Sequence, residues 1–209
     1  MKTKLIVLFL LLSTFVMAKD YQISVKRWFG VSAGWVLKDN ISSNIQFMDP
    51  KGTYVYTANI HELNNALQIG LSFAPTFGKL GLGMYTGLYY ELSWAMKKIE
   101  YRDDGTKTVS QNPSMSYANP IQTLYLPAHF QYNYLINPNM SLYTSAGPSF
   151  EFNISTGFPK CAFLLGARCG FQAYGVQISL LTEWGIYTSP KLIDYGIHRP
   201  LSIQLSYMF

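Results

Sequence analysis

The segment Leu201-Ser202-Ile203-Gln204-Leu205-Ser206-Tyr207-Met208-Phe209 alternates apolar residues with mostly small or polar ones and finishes on an aromatic ring. Side chains alternate faces along a strand. Leu201, Ile203, Leu205, Tyr207 and Phe209 therefore share one side, and Ser202, Gln204 and Ser206 the other. One face suits lipid and the other a polar interior. Such a strand, with no tail after it, predicts the closing piece of a transmembrane β-barrel.

Composition agrees with a lipid-facing surface. Charged residues make up 13% of the chain and aromatics 16%, whereas a soluble domain carries about 25% charged residues. Residues 1–18 read as a secretory signal peptide: Lys2 and Lys4 precede the apolar run from Leu5 to Leu12, and Val16-Met17-Ala18 ends on a small residue suited to cleavage. That run is shorter than the roughly 20 residues a spanning helix needs. Past it, the longest apolar stretch, from Cys161 to Phe171, is interrupted by Arg168, so helical membrane topology is excluded. Loss of Lys2 and Lys4 lowers the formal charge from +5 to +3, which leaves little basis for nucleic-acid binding. Cys161 and Cys169 fall in one predicted strand, on its lipid face, and read as two small hydrophobes rather than a disulfide or a metal pair.

Residues 19–209 form one domain in which eight segments carry the alternating pattern: about 26–37, 65–75, 80–97, 120–134, 140–153, 161–173, 176–188 and 199–209. Connections alternate between long (38–64, 99–119, 154–159, 189–198) and short (76–79, 136–139, 174–175). Short turns on the side of both termini and longer loops opposite are the asymmetry of bacterial outer-membrane barrels. The fold class expected is all-β, an eight-stranded antiparallel up-and-down transmembrane barrel. A ten-strand alternative arises because 41–48 and 53–60 flank the turn Asp49-Pro50-Lys51-Gly52. Asn44, Gln46, Asn59, His61 and Glu62 deny that hairpin a long lipid-compatible face, so an extension above the membrane is preferred.

Parity gathers Glu91, His129, Glu151, Arg168 and Glu183 in one interior, and a charge there must be paired or hydrated. An eight-stranded barrel is just wide enough for side chains to fill it. A packed polar plug is therefore expected, with Arg168 and Glu183 on neighbouring strands as its leading ion pair. The nearest local nucleophile and base, Ser202 and His198, stand at i, i+4 on one strand face and about 13 Å apart, beyond hydrogen-bond reach. Tyr54, Tyr56, His61, Tyr101, Tyr117 and Tyr187 lie in or beside the long loops and make these the expected contact surface. Tyr90, Trp94, Tyr132 and Trp184 read as interfacial girdle.

The segments Gly30-Val31-Ser32-Ala33-Gly34-Trp35, Leu67-Gln68-Ile69-Gly70-Leu71, Gly87-Leu88-Tyr89-Tyr90-Glu91, Leu124-Tyr125-Leu126-Pro127 and Ala146-Gly147-Pro148 follow one another along the chain. In kind and order they resemble those of the PorT-type outer-membrane β-barrel domain of Bacteroidetes, an architectural relative of small OmpA-like barrels. The chain resembles that family over most of its length, although Ser93-Trp94-Ala95 stands where the family has a Lys-Gly pair. The resemblance implies an outer-membrane barrel and carries no catalytic residue. Leu205, Tyr207 and Phe209 are similar to the C-terminal signal read by the outer-membrane assembly machinery, which with outer-membrane lipids is the expected partner. The expected function is a non-enzymatic plugged barrel with loops for contact or recognition, within an envelope or secretion assembly. A narrow path for protons or small solutes and a lipid-modifying enzyme are the alternatives. No cofactor or metal is expected.

Overall fold

The computed structural model describes residues 28–77, 81–111, 120–137, 139–155, 161–189 and 194–209; the expected signal peptide lies outside the described residues. The described regular elements are strands: β1 (Phe29–Met48), β2 (Tyr54–Phe73), β3 (Thr76–Phe77), β4 (Leu82–Arg102), β5 (Lys107–Gln111), β6 (Ile121–Asn137), β7 (Met140–Asn153), β8 (Cys161–Ala173), β9 (Val176–Ser189) and β10 (Asp194–Met208). Eight of them form the barrel. The sheet runs β2-β1-β10-β9-β8-β7-β6-β4, and β4 pairs back with β2, so no barrel strand is left with a free edge at membrane height. Every pairing is antiparallel, with β1 against β10 as the seam between the two ends of the chain.

The strand count follows the eight-strand reading, but the strands are longer than hydropathy suggests. β1 and β2 stay paired from Phe29↔Phe73 out to Met48↔Tyr54, so residues 41–60 prolong two barrel strands rather than adding two more. β4 likewise continues to Arg102, where β5 joins its edge, and β10 starts at Asp194 within what reads as a loop. Antiparallel pairing needs only a partner backbone. It therefore persists into water after the lipid-facing pattern has ended.

Local chemistry sets the turns. At the long-loop end, Asp49 Oδ1 accepts from the amides of Lys51 at 2.9 Å and Thr53 at 2.7 Å, and Gly52 takes φ 79°. At the opposite end Tyr174 and Gly175 both have positive φ, 50° and 95°, as a two-residue hairpin turn matching the strand twist requires.

The barrel is apolar outside and polar inside. Phe130 is 78% exposed while its neighbour Gln131 is 3% exposed, and the same alternation runs along β2, β4 and β7 to β10. Water would penalise an unbroken belt of this kind, whereas lipid does not. Two large interior rings are accommodated by glycines: Tyr89 lies over Gly70 and Gly87, and Tyr143 over Gly170, where a Cβ would collide with the ring. Cys161 and Cys169 face outward and are free.

Candidate functional site

Among the described residues the lumen holds six ionic side chains, each at most 4% exposed: Lys38, Arg168 and Arg199, and Glu91, Glu151 and Glu183. Three cations face three carboxylates, so the buried set is formally neutral. Five of the six form one cluster. Lys38 Nζ lies 2.7 Å from Glu91 Oε2 and 2.8 Å from Glu151 Oε1. Arg199 pairs with Glu91, with Glu183 at 3.0 Å and with Glu151 at 3.4 Å, and its guanidinium lies 3.9 Å from the centre of the Tyr125 ring. Neutral donors add to the shell: Gln68 Nε2 donates to Glu91 at 2.7 Å, Thr123 Oγ1 to Glu91 at 3.2 Å, and Tyr125 OH to Glu183 at 2.8 Å, while Glu151 Oε2 and Arg199 Nε face each other at 3.4 Å without a hydrogen bond. Charges in a low-dielectric interior are tolerated only when paired and hydrogen-bonded in this way.

Arg168 stands apart from the carboxylates. Its guanidinium sits 3.8 Å from the Tyr85 ring centre and 4.6 Å from that of Tyr143, and it donates to Gln131 at 3.4 Å and Gln177 at 3.3 Å. The expected Arg168–Glu183 pair is thus replaced by Arg199–Glu183. Register is the reason: Arg168 is opposite Leu181, and Glu183 is opposite Gly166, over which its side chain passes. His129 also belongs to the neutral layer, with Nε2 3.1 Å from Ser149 Oγ and Nδ1 3.5 Å from Ser145 Oγ. That imidazole and both serines are buried, and among the described residues no carboxylate is hydrogen-bonded to the ring.

Lys38 and Arg199, the two cations that hold the cluster together, escape a reading by hydropathy. Lys38 obeys the inward parity of Ser32, Gly34 and Val36, and is lost only when the strand is ended at Leu37. Arg199 has the outward parity of Leu201 to Phe209. A bulge between Arg199 and Ser202 adds one residue to β10 and turns Arg199 inward. Pro200, which cannot donate to the ladder, is the local signal of that irregularity. The same bulge separates His198, outside, from Ser202, which is 3% exposed inside, so their expected common face is lost.

Above the barrel, β1, β2, β4 and β5 form a small sheet whose two hairpins are tied together. Asp103 accepts from the Tyr54 hydroxyl and from Thr57 N at 2.9 Å, and returns its own N–H to Thr57 O at 2.9 Å. These bonds, the Tyr54 hydroxyl first, hold the Asp103 carboxyl below the ordinary range. The Thr106 hydroxyl and amide do the same for Asp104. Phe47 stacks on Tyr56 at 4.5 Å between ring centres, and Arg102 covers Tyr56 at 4.2 Å. Of the expected loop aromatics, Tyr54, Tyr101 and Tyr187 are exposed and Tyr56 is partly covered; Tyr117 lies outside the described residues. Leu205, Tyr207 and Phe209 are exposed on the outer face of β10 and the residue after it, at 54%, 53% and 63%.

No protein-family model and no curated protein matches the chain. Among solved structures it is similar to Ail, the attachment invasion locus protein of Yersinia pestis, at 12% identity, with 88% of this chain and 99% of that chain covered and a TM-score of 0.39. It is also similar to a de novo designed transmembrane β-barrel at 10% identity, with 86% and 95% covered and a TM-score of 0.31.

Proposed function

We propose that the protein is an integral outer-membrane barrel without enzymatic activity, its lumen plugged by its own side chains and its long-loop end serving for contact or recognition. The observation that carries this reading is the buried ionic cluster. Arg199 and Lys38 bind three carboxylates across the lumen, and Tyr85, Tyr89, Tyr125, Arg168 and His129 fill the space beside them. A solute path would have to break several buried charge pairs. The apolar outer belt, the aromatics at its margins and the short-turn, long-loop asymmetry support placement in an outer membrane, reached after cleavage of the residue 1–18 leader and insertion through the Leu205, Tyr207, Phe209 signal. Kinship with PorT-type domains belongs to the same proposal and rests on the ordered motifs alone. The platform of two hydrogen-bonded hairpins supports a role in an envelope or secretion assembly. Against an enzyme stands the burial of the Ser149–His129 pair, out of reach of any lipid or sugar.

Single-channel recording of the refolded barrel in planar bilayers tests the plug. No steady conductance is expected from wild type. A reproducible unitary current would overturn the reading in favour of transport.

A further inference from the structure

One bulge changes what the small upper sheet presents to its surroundings. Along β4 the even residues Leu88, Tyr90, Leu92 and Trp94 face lipid. Leu63 then pairs with Lys97 while Asn64 pairs with Ala95, so Met96 is an extra residue and parity inverts above it. Lys97, Ile99 and Tyr101 consequently continue the outer face, and through the β4–β5 ladder they align with Gln111, Val109 and Lys107. Without the bulge, Lys98, Glu100 and Arg102 would occupy that face, two cations with a carboxylate between them. With it, they turn to the other side, where Glu100 Oε1 takes Arg102 Nε at 2.8 Å and Lys98 lies 4.0 Å from Glu100.

The resulting outer face is cationic and half apolar. Lys97 and Lys107 have no carboxylate partner among the described residues, and Lys107 Nζ sits 5.2 Å from the Tyr101 ring centre. Tyr101 is 39% and Val109 45% exposed. Of the anions nearby, Asp39 lies 3.8 Å from His61 without a hydrogen bond to it, and Asp103 and Asp104 are bonded to the amides of Thr57 and Thr106. This face is continuous with the lipid-facing column that ends at Trp94 and Met96, so it stands at the height where acyl chains give way to headgroups.

We propose that the outer face of β2, β4 and β5 is a docking surface for phosphorylated glycolipid of the outer leaflet, with Lys97 and Lys107 pairing with its phosphates and Tyr101 and Val109 lying against its sugar and acyl margin. The proposal rests on the reading of the long-loop end as external. It commits to the membrane's own lipid. Charge complementarity and continuity with the lipid belt are its two grounds.

The test is native mass spectrometry of the full barrel released from vesicles of phosphatidylcholine doped with diphosphoryl lipid A or with its dephosphorylated form. Wild type is expected to retain the diphosphoryl lipid at least about tenfold better than the dephosphorylated one, a preference that charge-assisted bonds to phosphate can supply. Lys97→Gln/Lys107→Gln should abolish that preference, while Lys98→Gln, on the other face, should keep it. Both altered lysines are at the surface, and heat-modifiable gel mobility checks that the variants remain folded barrels. Equal retention of the two lipids, or an unchanged preference in the double variant, overturns the proposal. Displacement of the lipid by millimolar inorganic phosphate would also overturn it, by showing a free-anion site. A wild-type barrel that enters neither vesicle refutes the membrane reading itself, a result distinct from insertion without lipid preference.

Discussion

Replacing Arg199 by methionine removes the cation that touches all three lumen carboxylates. The side chain is fully buried and pairs with Glu91, Glu183 and Glu151 while covering the Tyr125 ring. After the change, Lys38 still pairs with Glu91 and Glu151, one positive charge against two negative, while Glu183 keeps only the Tyr125 hydroxyl among the contacts described above. Leaving one partner of a buried ion pair uncompensated costs about 3–5 kcal/mol. Methionine restores some packing, and Lys38 still serves two of the three carboxylates, so the lower half of that range is expected. The assay is urea unfolding of the barrel in lipid vesicles, followed by tryptophan fluorescence, with the m-value compared between variants to confirm that the same surface is exposed. Glu183→Gln in the Arg199→Met background should recover at least about 1 kcal/mol, because the two side chains act as one unit. A destabilisation by Arg199→Met of less than about 1 kcal/mol, or no recovery in the double variant, would refute the assignment of Arg199 as the neutralising centre.

Arg168→Ala should also lower stability, but by less than Arg199→Met, because Arg168 loses contacts to rings and amides and strands no carboxylate; a larger loss in the same unfolding assay would contradict the layering. Gly70→Ala should cost about 1–3 kcal/mol, since its methyl must displace both the Tyr89 ring and the β4 backbone at the Leu88 carbonyl. An unchanged unfolding midpoint would contradict this close approach of the two strands. The bond between hairpins should fail only in strong acid. Asp103 has its carboxyl pKa depressed in the folded state, so its contribution is complete above the ordinary aspartate value of about 3.9 and disappears as pH falls through the depressed value. Hydrogen exchange at the Thr57 amide, corrected for intrinsic rates, should therefore stay protected from neutral pH down to about 4. Loss of protection between pH 5 and 7 would point to another titrating group.

Much of the architecture is legible in period-two patterning because a membrane barrel has two solvents, and each strand declares both. Phe130 beside Gln131, or Leu180 beside Ser179, can satisfy lipid and lumen only in one orientation. Glu91, His129, Glu151, Arg168 and Glu183 are accordingly placed inside by parity alone. Parity is also where legibility stops. It is a count, and a single extra residue reverses every assignment beyond it.

The alternating chain by itself determined the strand number, the face each strand turns to lipid and the enclosure of a polar interior, because hydropathy acts locally and residue by residue. The tertiary structure decided which charges meet. Arg199 enters the lumen through the bulge beside Pro200, Lys38 enters because β1 continues past Leu37, and Glu183 reaches Arg199 rather than Arg168 because Gly166 lies opposite it. The bulge at Met96 likewise decided that Lys97 and Lys107, not Lys98 and Arg102, face the lipid side. Register and bulges arise from pairing between strands distant in the chain, and no local pattern encodes them.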